Sequence, residues 1–237
     1  MSATAEALRF NTDRPAEVRS APRWSRLAYV VRELPRAIAR LAPELLVPRG
    51  GRVLDYGCAD LPYRHLLPDD ADYVPADIPG NPQALVEVLP DGTLPLPGDS
   101  FDAVLSTQVL EHVQDPGTYL SECFRVIRPG GRMLLSTHGI MVWHPDPVDH
   151  WRWTSGGLRH AVEQAGFEVV RFEGVVGLMA TGLQLVQDGA IYSMPRLLRK
   201  PFAFVMQWLI AVADRLQSAE NRRMNALVFA LIAEKPQ

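Results

Sequence analysis

Apolar residues along this chain fall into two rhythms. Short apolar runs bounded by glycine, proline or acidic residues read as buried strands. They lie at residues 53–56, 73–76, 84–88, 101–107, 132–137, 168–172 and 226–233. Between several of them, apolar positions recur at helical spacing, over 62–67, 116–126 and 155–165. A further helical stretch precedes the first strand. There Leu27, Val30, Val31, Leu34, Ile38 and Leu41 share one side of 24–46, and Pro35 is expected to kink it. Strands alternating with helices predict an α/β fold with a mostly parallel sheet and helices on both faces.

Residues 175–224 interrupt the alternation and predict two or three inserted helices, one over 195–216, before the final strand. Phe202, Phe204, Val205, Met206, Trp208, Leu209 and Ile210 are apolar almost all round. That is the pattern of a helix buried against its domain. A dimer contact ranks second and a lipid-touching surface third. The expected organisation is a flexible N-terminus over 1–23 and a single domain over 24–237. Within it, 24–48 form an N-terminal helical cover, and 175–224 form a helical insertion over the acceptor side of the site.

Composition narrows the class. A net charge of −3 over 237 residues gives no global call for nucleic acid or an anionic membrane. The two cysteines, Cys58 and Cys123, lie far apart in apolar contexts without metal-ligand spacing, as expected of a reducing cytoplasm. The longest apolar run, 202–213, is broken by Gln207 and is too short for stable membrane insertion. Arginine outnumbers lysine 22 to 2, which reads as a G+C-rich genome.

The chemistry starts at Arg52-Val-Leu-Asp-Tyr-Gly-Cys-Ala-Asp60. A buried strand ends on a carboxylate, Asp55, and turns at Gly57. Twenty residues after Gly57, Asp77 closes the next apolar run. A strand, a glycine turn and a later acid at that spacing suit the ribose of a nucleotide-like ligand. Downstream come Asp91-Gly-Thr-Leu-Pro-Leu-Pro-Gly-Asp-Ser-Phe-Asp102, Ser106-Thr-Gln-Val-Leu-Glu-His-Val113 and Phe124-Arg-Val-Ile-Arg-Pro-Gly-Gly-Arg132.

In this order, over roughly residues 50–170, these segments resemble the class I S-adenosylmethionine (SAM)-dependent methyltransferases. The resemblance implies a Rossmann-like, seven-stranded sheet with the last strand antiparallel, and SAM as the methyl donor. Asp55, Gly57 and Cys58 would then flank the donor's methionine end, with Tyr63 facing the pocket. Asp77 would take the ribose hydroxyls and Ile78 would cover the adenine. Asp91, Gly92 and Thr93 would border the adenine edge, and Gln108 would close the methionine end. One departure is plain: where the family often repeats glycine, this chain has Ala59 and Leu61. Alanine avoids positive φ, so a less open turn is expected.

A second concentration of chemistry follows the fifth strand: His138-Gly-Ile-Met-Val-Trp-His144-Pro-Asp146-Pro-Val-Asp149-His150-Trp151-Arg152-Trp153-Thr154. The donor carries an activated methyl group, so an alcohol acceptor needs chiefly alignment and removal of its proton. His144 is the expected general base, with Glu111 and His112 as further catalytic candidates. Trp143, Trp151 and Trp153, with Asp149 and His150, would hold the acceptor. Asp146, Asp149 and His150 would supply ligands if Mg²⁺ assists. The same residues also read as a packed loop, with Thr154 capping the next helix.

Flat aromatic faces beside carboxylates and histidines suit a sugar. The loop resembles those of sugar O-methyltransferases, among them actinobacterial enzymes of the methylmannose polysaccharide type. A sugar hydroxyl, on an oligosaccharide, a polysaccharide precursor or a glycolipid, is therefore the expected acceptor. A small aromatic or polyketide hydroxyl, and a catalytically silent SAM-fold module, are the alternatives.

Overall fold

The computed structural model describes residues 21–145 and 148–237. Its first helix, α1 (Ala28–Leu41), runs through Pro35 and ends in a short 3₁₀ turn. Then follow β1 (Arg52–Tyr56), β2 (Asp72–Asp77), β3 (Val86–Glu87), β4 (Phe101–Thr107), α2 (Pro116–Val126), β5 (Ile127–His138) and α3 (Ser155–Gln164). The chain closes with β6 (Glu168–Gly177), α4 (Leu178–Ile191), α5 (Arg196–Arg215), α6 (Ala219–Met224) and β7 (Ala226–Glu234).

The seven strands form one sheet in the order β3-β2-β1-β4-β5-β7-β6. β7 is antiparallel to both neighbours, and the other pairings are parallel. Chain order reverses between β1 and β4, and ligands of open α/β sheets bind beyond the carboxyl ends of strands at such a switch.

Side chains on a strand alternate between faces. Val53 of β1 enters a core with α1, α4 and α5, through Ile38, Leu41, Ala180 and Ile210. Leu54 and Tyr56 enter a second core with α2 and α3, through Leu120, Cys123, Leu158 and Val162. β7 is buried along almost its whole length, as expected of a strand inside a sheet covered on both faces.

Caps fix the helix starts. Asp115 accepts from the Gly117 N–H and Thr154 from the Gly157 N–H, each satisfying a donor that the helix leaves open. Two expected elements shrink. The helix expected over 62–67 is a single 3₁₀ turn, Arg64–Leu66, and the strand expected over 84–88 is the two-residue β3. β5 in turn starts earlier than expected, because the Pro129-Gly-Gly stretch is taken into the strand.

The helix expected to be buried against its domain, 195–216, is buried on one face only. In α5 Ala203, Met206 and Ile210 face inward, while Phe204, Val205 and Trp208 are exposed. No helix among the described residues is long and apolar enough to cross a membrane.

Candidate active site

At the end of β1 the chain turns under the sheet's switch point. Gly57 and Cys58 both donate to the Ala76 carbonyl of β2. Gly57 has φ +85°, and a Cβ there would overlap the Val109 side chain. Glycine is thus needed for conformation and for close approach. Contrary to the expectation of a less open turn, Ala59 (φ +45°) and Leu61 (φ +59°) adopt left-handed backbone that glycine takes without cost. The turn keeps its shape because the surrounding bonds hold it.

Those bonds centre on Asp77. Its Oδ2 accepts from the Ala59 N–H at 2.8 Å and from Asn81 Nδ2 at 2.7 Å, and its Oδ1 accepts from the Ile78 N–H at 2.8 Å. Asn81 also donates to the Ala59 carbonyl at 2.7 Å and approaches Cys58 Sγ at 3.6 Å. Asp77 therefore sits beside the turn at the end of β2, tied to it from both sides. Asn81 was not foreseen; no spacing rule marks an asparagine that bridges two strand ends.

Asp55 is 2% exposed. The Tyr73 hydroxyl donates to its Oδ2, while Oδ1 is buried without a partner. Burial pushes the Asp55 carboxyl up to about 7, against the opposing Tyr73 bond. Tyr63 is buried nearby; burial and the Asp55 charge push its phenol up to about 12. A buried acid with one unpartnered oxygen would be stabilised in its charged form by a cation beside it.

The remaining donor-side candidates lie along the same edge. Asp91 is exposed, and its carboxylate closes a turn onto the Thr93 N–H and hydroxyl, which hold it below the usual carboxylate range. Tyr56 donates to the Gly92 carbonyl. Gln108, at φ +57°, is pinned to β5: its N–H donates to the Ser136 carbonyl and its Nε2 to the Ser136 hydroxyl.

Beyond β4 and β5 the structure gathers three imidazoles. Ring centroids of His112, His138 and His144 are 6.4, 6.2 and 5.7 Å apart pairwise. His138, the last residue of β5, was seen in the sequence but assigned no catalytic part. Its Nε2 lies 3.4 Å from Glu111 Oε1. Glu111 is fully buried, and its Oε2 accepts from the Thr137 hydroxyl. Burial pushes Glu111 up to about 7 and His138 down to about 3, the latter helped by the charges of Arg152, His144 and His112. Near neutral pH, His138 is thus a neutral ring behind His144.

The loop carrying His144 is held by one ion pair. Arg152 clamps Asp149 through both carboxylate oxygens, at 2.5 and 2.6 Å, and donates to the Met141, Val142 and Trp151 carbonyls. Asp149 Oδ2 also accepts from the His144 N–H at 2.6 Å. Burial would raise Asp149, but the Arg152 and His144 N–H hydrogen bonds and the Arg152 charge together outweigh it and lower the carboxyl. His112 Nδ1 contacts the Val148 carbonyl. The N–H groups of His150 and Trp151 both donate to the Glu111 carbonyl, so the loop is sewn onto the residue after β4 that also faces His138.

Of the three tryptophans, Trp151 and Trp153 pair with ring centroids 6.2 Å apart, and neither pairs with the Trp143 ring. Trp143 is 75% exposed, Trp151 is partly exposed with its indole N–H on the Val113 carbonyl, and Trp153 packs into the α2–α3 core. The expected cation ligands are not brought together either. Asp149 is engaged by Arg152 and the His144 N–H, the His150 side chain points to solvent, and Asp146 lies outside the described residues. Among the described residues no three His, Cys, Asp or Glu side chains are grouped to hold a metal. The residues described do not fit Mg²⁺.

Known proteins place this geometry in context. A family model described as a methyltransferase domain matches residues 24–171. The chain is 42% identical over 82 residues to a probable S-adenosylmethionine-dependent methyltransferase of Mycolicibacterium smegmatis, a match covering 32% of each protein. It is 31% identical over 182 residues to the ubiquinone biosynthesis O-methyltransferase of Dinoroseobacter shibae, covering 64% of this chain and 73% of that one. The matches thus span about a third of the first relative and about three-quarters of the second. Among solved structures, a putative methyltransferase from Bacillus halodurans is similar at a TM-score of 0.54 and 16% identity, over 85% of this chain and 100% of that one. The [4+2]-cyclase SpnF is similar at 0.53 and 19%, over 84% and 80%. At those identities the likeness is one of fold, a fold that hosts more than one chemistry.

Proposed function

The chain belongs to the S-adenosylmethionine-dependent methyltransferases, and we propose that it moves the methyl group onto a sugar hydroxyl, with His144 as general base. The observation that carries this reading is the gathering of His112, His138 and His144 beyond β4 and β5.

The residues at the β1 turn fit the donor. Asp55 offers its open oxygen to the methionine ammonium, and Gly57 lets the backbone approach closely. Asp77 and Ile78 serve the ribose and adenine, and Asp91 to Thr93 border the adenine edge. When bound, SAM supplies a methyl group on a positively charged sulfur that departs as a neutral thioether. The protein aligns the acceptor oxygen with that methyl. As the oxygen–carbon bond forms, the hydroxyl proton passes to the His144 imidazole. A neighbouring His138 that stays neutral adds no repulsion when His144 becomes charged, and the Asp149–Arg152 pair is neutral as a unit. No step is assigned to a metal.

Exposed Trp143 and Trp151 give flat faces on which a sugar ring can stack. The insertion 175–224 borders this side: Gly177, just before α4, pairs with Ala226, whose carbonyl accepts from the Ile140 N–H in the His144 loop. A second reading, a phenolic hydroxyl, is favoured by the relatives named for ubiquinone biosynthesis.

Replacing His144 by Ala should lower kcat by about 10²–10⁴-fold while SAM affinity stays within about twofold. Unchanged turnover would remove His144 from the mechanism. Incubation with methyl-labelled SAM and matched panels of oligosaccharides and catechols separates the acceptors; labelling of catechols alone would sink the sugar reading.

A further inference from the structure

The α4–α5 hairpin turns its glutamines and acids inward and leaves part of its apolar surface outside. Its glutamines face the protein: Gln184, Gln187 and Gln207 all donate to the Arg26 carbonyl, and Gln207 accepts from the Tyr29 N–H. Its two acids are also turned inward. Asp188 pairs with Arg26, and Asp214 accepts from the Tyr29 hydroxyl and the Gly177 N–H. Ile191, Met206 and Ile210 are buried, but other large apolar side chains face outward. Leu197 is 87% exposed and Trp208 62%, and Val186, Phe204 and Val205 are more than half exposed. Leu197, Phe204 and Trp208 follow one another at helical spacing, so they form one stripe along α5. A continuous exposed stripe of this kind marks a contact surface.

Charge says what covers it. Arg196 and Lys200 open α5, and Lys200 lies within the stripe, between Leu197 and Phe204. Both are exposed, and neither pairs with an acid among the described residues. Arg199 braces the hairpin turn through the Tyr192 and Met194 carbonyls, its guanidinium over the Tyr192 ring. From Gly174 to Ser218 the only acids are the two turned inward. The outward surface is therefore apolar, aromatic and cationic. A second copy of the same face would bury Lys200 with no acid opposite, at high cost. α5 does not qualify as a membrane span, which leaves a helix lying in the plane of an interface.

We propose that the outer face of α4–α5 docks on an anionic lipid bilayer. Leu197, Phe204 and Trp208 enter the acyl boundary while Arg196 and Lys200 meet lipid phosphates. The hairpin starts at the carboxyl edge of the sheet, where Gly177 meets β7. Asp214, near the end of α5, accepts from the Gly177 N–H, so the stripe runs from the turn remote from that edge back towards it. The surface does not depend on which acceptor is methylated.

Flotation of the full chain with vesicles tests this. It should float with equimolar phosphatidylcholine–phosphatidylglycerol vesicles and not with phosphatidylcholine alone, and high salt should release it. Replacing Leu197, Phe204 and Trp208 together by Ser should weaken binding at least about tenfold, with SAM affinity by calorimetry unchanged. The pair Arg196→Glu and Lys200→Glu, wholly on the surface, should abolish the preference for anionic vesicles, and it decides the matter if the triple variant does not fold. Failure of the parent to float overturns the proposal, as does equal binding to both vesicle types. A chain that stays off vesicles and forms a dimer broken by the triple variant assigns the face to a second copy instead.

Discussion

At residue scale the turn after β1 rests on positions with opposite tolerances. Gly57 needs both φ +85° and the space that the Val109 side chain would otherwise deny. Gly57→Ala should cost roughly 2–4 kcal/mol, from left-handed strain plus overpacking, and should weaken SAM binding in step. Ala59 is the reverse case: Ala59→Gly relieves a left-handed alanine and should not destabilise, whereas Ala→Gly in ordinary structure does. Denaturant unfolding of the two variants checks the pair, and the idea fails if Ala59→Gly proves the worse. Asp55 and Gly57 were legible in the sequence because a carboxylate at a strand end and a glycine beyond it have few structural substitutes. The left-handed backbone of Ala59 was not, because Asp77 and Asn81 enforce it from 18 and 22 residues away. His138 was missed for a related reason: it becomes distinctive only when Glu111, from the loop after β4, is laid beside it.

At the scale of elements, legibility followed locality. β4, α2 and the start of α3 are written in contiguous apolar rhythm and in the caps Asp115 and Thr154, and the structure has them where the pattern put them. β3 is two residues of edge strand, too short to carry a pattern. In α5 apolar density was visible but its direction was not, because the buried glutamines answer to the Arg26 carbonyl, far away in the chain. The loop after β5 was read as rich in catalytic groups; its frame is the Asp149–Arg152 pair. The Asp149 side chain is 1% exposed, so removing its partner leaves a buried charge. Arg152→Met should cost about 3–5 kcal/mol and raise the KM for the acceptor more than the Kd for SAM. The double variant Asp149→Asn, Arg152→Met should recover part of the loss. A double-mutant cycle by denaturation checks this, and full additivity would remove the pair from its role.

For the whole molecule, the buried titratable groups set a pH dependence whose sign can be worked out. Asp55 and Glu111 have folded values near 7, against 3.8 and 4.5 for the ordinary groups, and His138 falls to about 3 from 6.5. The raised carboxyls contribute stability that is full below their ordinary values and lost as pH rises through about 7. The depressed His138 contributes stability present above 6.5 and lost as pH falls. Between about pH 5 and 6.5 the folded chain holds two protons on these groups and the unfolded chain one, so their net contribution falls as pH rises, by about 1.4 kcal/mol per pH unit. Carboxyls held low by partners, such as Asp149 and Glu122, have given their share by about pH 5 and do not offset this. The donor acts on the same balance. In the proposed donor site an ammonium beside Asp55 would favour its ionised form, so SAM binding should release a proton and weaken as pH falls from about 7 to 5.5, by up to tenfold per unit. Asp55→Asn should bind SAM more weakly but with little pH dependence, and should flatten the stability profile of the free protein. Calorimetry in buffers of differing ionisation heat measures the proton directly. A parent affinity flat from about pH 5.5 to 7 would mean that the open oxygen of Asp55 does not receive the ammonium.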